Sequence, residues 1–114
     1  MAHRKNRLRA RDVVNESQVQ SAVKRLYRSM GCKIYDTSQR RRADITPGIP
    51  DLIVFHPGKG LQWFHEVKVE GGRQSPAQKR FERDCIAAKS DYILGGVAAA
   101  KDHLWVVGVV ARVA

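Results

Sequence analysis

Asp51, Glu66 and Lys68 are charged residues in or beside apolar runs, where a charge is costly unless it is paired or bound to a metal. Asp51 falls in IPDLIVF, and Glu66 and Lys68 stand two apart in LQWFHEVKV. Alternate side chains of a strand share a face, so Glu66 and Lys68 project together while Val67 points the other way. If the two runs pair across the turn at 56–60, Asp51 lies near the later part of the second, and the three charges gather at one edge of the sheet. Two carboxylates held close repel and raise a pKa unless a cation sits between them, and hard oxygen ligands suit Mg²⁺ or Mn²⁺. Such an ion orients a phosphate and activates a water, and a neighbouring lysine positions the nucleophile or stabilises developing negative charge. These are the parts needed for phosphodiester hydrolysis.

Two more groups can join them. Glu16 precedes Val19 on the helical stripe 16, 19, 23, 26, 30, which turns it toward the core side as a third carboxylate. Gln78 falls on the first turn of a later helix, where its amide can meet a metal-bound water, a phosphate or the neighbouring strand. Each residue also has a plainer role: Asp51 as a cap, Glu66 with Lys68 as an ion pair, Glu16 as a complement to a helix dipole, Gln78 as half of a capping box. Taken jointly with the net charge, the set points to a site.

The positioning elements are legible in turn. Val19, Val23, Leu26, Tyr27 and Met30 recur at helical spacing between an N-cap at Asn15 and a stop at Gly31. CKIYDTS predicts a short strand, QRRRADITPG a loop, and the two apolar runs an antiparallel hairpin. Ser75-Pro76-Ala77-Gln78 has the form of a capping box, opening a helix to about Lys89 whose apolar face is Phe81, Cys85 and Ile86. DYILGGVA predicts a fourth strand, and AKDHLWVVGVVARVA fits a helix, a strand or one of each. The order is α-β-β-β-α-β, an α/β fold with a mixed sheet flanked by helices.

At 114 residues the chain fits one domain, here 13–114, behind a basic arm at 1–12. The net charge of +10 favours a polyanion, nucleic acid first, and 12 of the 21 basic residues lie in the first 42 positions. Arg4, Lys5, Arg7, Arg9 and Arg11 of the arm and Arg40, Arg41 and Arg42 of the loop are the expected phosphate contacts. Two cysteines, Cys32 and Cys85, make neither a zinc knuckle nor a disulfide scaffold, and no apolar run approaches a membrane span or a signal peptide, so a cytoplasmic protein is expected. His3, His56, His65 and His103 show no metal spacing, and Trp63, Trp105 and Tyr92 read as packing residues.

GIPDLIVF, EVK and SPAQKRF, preceded by a helix containing Glu16, closely resemble the VRR-NUC nucleases of the PD-(D/E)xK superfamily, over residues from about 15 to 95. The resemblance implies a restriction-endonuclease-like fold and divalent-metal-dependent cleavage of DNA. It implies Glu16, Asp51 and Glu66 as metal ligands with the Val67 carbonyl as another, Lys68 as the catalytic lysine, and Gln78 as the family's helix glutamine. Small stand-alone members resemble phage or bacterial proteins that act on branched DNA, including four-way (Holliday) junctions, as homodimers, whereas Fanconi-associated relatives carry the module at the end of longer chains and process flaps. The expectation is a branched-DNA endonuclease using Mg²⁺ or Mn²⁺ in a bacterial or phage-infected cell. The alternatives are a flap or single-strand-junction nuclease, and a DNA-binding module without catalysis.

Overall fold

The computed structural model describes residues 15–38 and 46–110. Helix α1 (Glu16–Ser29) begins with a reciprocal cap, in which Asn15 Oδ1 accepts from the Gln18 N–H at 2.8 Å and Gln18 Oε1 accepts from the Asn15 N–H at 3.0 Å. It ends at Met30, and Gly31 (φ +83°) turns the chain into β1 (Lys33–Asp36). Strands β2 (Leu52–His56) and β3 (Leu61–Val67) form the expected hairpin around a 3₁₀ turn at Pro57–Lys59, with Leu52 opposite His65 and His56 opposite Leu61. Helix α2 (Pro76–Ala87) crosses over to β4 (Tyr92–Gly95), which lies parallel to β3, and α3 (Val97–Val106) follows. The sheet order is β1-β2-β3-β4, antiparallel except for the last pair.

Strand β3 divides the molecule into layers. Trp63 and His65 pack against Tyr27 of α1, with ring centroids 5.6 Å apart in each case, and Trp63 also meets His103 of α3 at 4.6 Å. On the opposite face Phe64 stacks edge-on against Phe81 of α2 at 5.2 Å. Val23, Tyr27, Leu52, Val54, Trp63, Val67, Ala100 and Leu104 form the buried core on the α1/α3 side. His65 is fully buried there: its Nε2 faces the Gly95 carbonyl at 2.9 Å, so Nε2 donates, and Nδ1 accepts from the Tyr27 hydroxyl at 2.6 Å. Burial lowers its pKa to about 4, as befits a core histidine.

Three details differ from the sequence expectation. Helix α2 stops at Ala87, because Lys89 adopts a left-handed conformation (φ +59°) and the Ser90 N–H returns to the Cys85 carbonyl. Ile86, expected on the apolar face, is 68% exposed, while Cys85 is buried. GGVA is divided: Gly95 ends β4 and Gly96 caps α3, so the C-terminal apolar run is a helix as far as Val106, with Leu104 in the core and Val106 outside. Among the described residues no helix is long and apolar enough to cross a membrane.

Candidate metal and catalytic site

Gly48 and Asp51 are placed by the turn that precedes β2. At Gly48 φ is +87°, and a Cβ there would stand 2.4 Å from the Ala77 carbonyl oxygen, so only glycine lets this turn lie against the first turn of α2. The Thr37 N–H donates to the Asp51 carbonyl at 2.8 Å, tying the residue to the end of β1. Its carboxylate then reaches across to β3, where Asp51 Oδ2 accepts from the Val67 N–H at 3.0 Å. Asp51 therefore does cap a strand end, and its carboxylate also faces the next acid.

Glu66 is 2% exposed and faces α2. Gln78, the third residue of that helix, closes the capping box by accepting from the Ser75 N–H at 2.8 Å and donates through Nε2 to Glu66 Oε2 at 3.0 Å. The two roles weighed for Gln78 are thus both present in one amide. Glu66 Oε1 is buried with no hydrogen-bond partner, and Lys68 Nζ stands 3.9 Å from Oε2, too far for a hydrogen bond. Burial first, then the neighbouring Asp51 carboxylate, pushes the Glu66 carboxyl up from 4.5 to about 8, against the pull of Lys68.

Glu16 completes the group. Carboxylate oxygens of Glu16, Asp51 and Glu66 all lie within 4.8 Å of one another. Glu16 is exposed rather than turned into the core: it is the first residue of α1, and its carboxylate joins the cluster from the rim. Three carboxylates so close, one with a buried and unpartnered oxygen, fit a hard divalent cation, which would neutralise their repulsion and occupy the orphaned oxygen. Val67 closes β3 with its side chain in the core and its N–H on Asp51. Arg4, Lys5, Arg7, Arg9, Arg11, Arg40, Arg41 and Arg42 lie outside the described residues.

One network beside the cluster has no counterpart in the sequence expectation. Lys24 Nζ donates to Asp36 Oδ2 at 2.7 Å, Gln20 Nε2 donates to Asp36 Oδ2 at 3.1 Å and to Ser38 Oγ at 2.7 Å, and the Ser38 N–H donates to Asp36 Oδ1 at 2.9 Å. Burial would raise the Asp36 carboxyl, but hydrogen bonds from Lys24 and Ser38 outweigh it and hold the group below its usual value. The network binds α1 to the end of β1 and walls a polar groove of about 470 Å³ that ends at Glu16 and Asp51. Its sequence signals are Gln20 and Lys24 one helical turn apart, and the Asp36-Thr37-Ser38 turn.

No family model matches the chain, and no curated protein does. A solved structure described as "VRR_NUC domain" is similar to it at 26% identity and a TM-score of 0.61, covering 81% of this chain and 95% of that one.

Proposed function

Because the chain has the fold of a VRR-NUC nuclease domain, we propose that it is a divalent-metal-dependent DNA endonuclease. The observation that carries this reading is the Glu16, Asp51 and Glu66 cluster with its unpartnered, buried Glu66 oxygen. These three carboxylates, with the Val67 carbonyl, would hold Mg²⁺ or Mn²⁺, which supplies charge neutralisation at the phosphate and a more acidic water. Asp51 and Glu66 orient that centre, and Gln78 holds Glu66 in one rotamer through its Oε2. Lys68, on the rim of the cluster, brings an ammonium to the place where negative charge builds on the phosphate.

The net charge of +10 supports DNA as the partner, with the arm residues Arg4 to Arg11 and the loop residues Arg40, Arg41 and Arg42 as phosphate contacts. Branched DNA is the preferred substrate in this reading, and the chain acts as a homodimer. One carboxylate cluster is found among the described residues, whereas resolving a four-way junction takes two symmetry-related cuts. A bacterial or phage-infected cytoplasm is the proposed setting. The test is incubation with labelled duplex, single-stranded, flap, splayed and four-way DNA under Mg²⁺, Mn²⁺ or EDTA. Metal-dependent paired cuts in the four-way junction support the reading; a single nick at a flap assigns the flap-nuclease alternative, and binding without cleavage under either ion assigns a non-catalytic module.

A further inference from the structure

We propose that an apolar cleft beside the carboxylates receives an unstacked nucleobase of the strand being cut, an inference that rests on the nuclease reading above. The cleft, about 510 Å³, lies between the first two turns of α1, the first turn of α3 and the residues that follow β3. Val19 and Ala22 form one wall, Val97 and Ala98 the other, and Val69 and the Lys68 side chain the third. Lys68 is the shared boundary, since its Nζ stands 3.9 Å from Glu66 Oε2. A strand whose phosphate reaches Lys68 therefore brings an adjoining base to the cleft mouth.

The lining selects the occupant. A phosphate would meet mostly methyl groups and the Glu70 carboxylate there, whereas a base has two apolar faces to bury and polar edges to satisfy. Gln18 lies at the rim, and Gly96 gives α3 no side-chain cap, which leaves first-turn N–H groups for an acceptor on the base edge. The Gly95 carbonyl is already taken, by His65 Nε2 at 2.9 Å and the Lys68 N–H at 3.2 Å. Small residues keep the recess open: a Cβ on Gly96 would stand 3.1 Å from Val19 Cγ1. A base stacked in a duplex cannot enter such a recess without unpairing, so the cleft favours DNA with an unpaired base next to the cut.

The experiment places 2-aminopurine at successive positions through a splayed junction and measures fluorescence and affinity in EDTA, where no metal-dependent cutting occurs. Wild type is compared with Ala98→Leu and Ala22→Leu, which fill the cleft from opposite walls, and with Ala98→Ser, which leaves it open; thermal unfolding checks each fold. The expected result is a several-fold rise in fluorescence at one position and about tenfold weaker binding when that base is removed. Ala98→Leu and Ala22→Leu lose both effects, and Ala98→Ser keeps them. DNA binding with no brightened position, or a signal that survives both filled variants, overturns the proposal while leaving the nuclease reading intact. A dimer that dissociates in the filled variants with an unchanged signal assigns the cleft to a second copy and also overturns it. Failure to bind any DNA, in EDTA and again with the metal ion present, removes both readings.

Discussion

Glu66 accepts from Gln78 on one oxygen, and burial together with the neighbouring Asp51 carboxylate pushes its pKa up to about 8. The unfolded chain ionises the same group near 4.5, so in between the folded state keeps a proton that the unfolded state has lost. Stability from this group is full below about 4.5 and drains away as pH rises toward 8. His65 acts in the opposite sense only below 6.5, where the unfolded imidazole gains a proton that the buried ring refuses down to about 4. Between pH 6.5 and 8 Glu66 therefore dominates, and metal-free protein should lose roughly 1–2 kcal/mol, a loss that Glu66→Gln flattens. Thermal unfolding in EDTA across that window measures it. Lys68→Ala should lower cleavage by roughly 10²–10³-fold or more while fold and DNA affinity stay largely intact. Single-turnover rates beside anisotropy titrations check this, and near wild-type turnover would remove Lys68 from the chemistry.

Between elements, the spacing of GIPD and SPAQ has a physical cause. Gly48 lies against the Ala77 carbonyl, and one residue later Gln78 reaches Glu66, so the two tetrapeptides lock the β2 entry onto the α2 start. Gly48→Ala meets both a positive φ and a backbone clash, and should cost about 2–4 kcal/mol by urea unfolding, with cleavage impaired beyond the stability loss. An unchanged midpoint would show that this junction is slack. The α1 cap, the β2–β3 hairpin and the α2 cap were readable because each has a local signature: an Asn or Ser with its partner three residues on, or a Pro and Gly turn between apolar runs. Helix α3 was not, since a short apolar run is compatible with either period. The helical stripe placed Glu16 on the right side of α1, but at the first position nothing covers it, so it meets the other acids from the surface. The Lys24–Asp36 network escaped notice because its partners are 12 residues apart and join only when α1 packs on β1.

Across the whole molecule, charge and site belong to different regions. The three acids of the cluster come from positions 16, 51 and 66, while 8 of the 21 basic residues lie in the arm and the loop at 40–42 of the sequence. Neutralising either basic set should weaken binding to all DNA sequences and reduce the slope of log affinity against log salt by about one for each phosphate no longer neutralised. An unchanged slope would leave those residues with solubility alone. The carboxylate cluster weakens the hold on DNA until a cation is bound, while the basic residues still bind it, so uptake of the ion is the step on which cleavage depends. Calorimetric titration of Mn²⁺ into the metal-free protein at pH 7 tests it most directly. One ion per chain, proton release as Glu66 ionises, and at least about tenfold weaker uptake in Asp51→Asn and Glu66→Gln are expected. No binding, or equal binding by wild type and both variants, would contradict this.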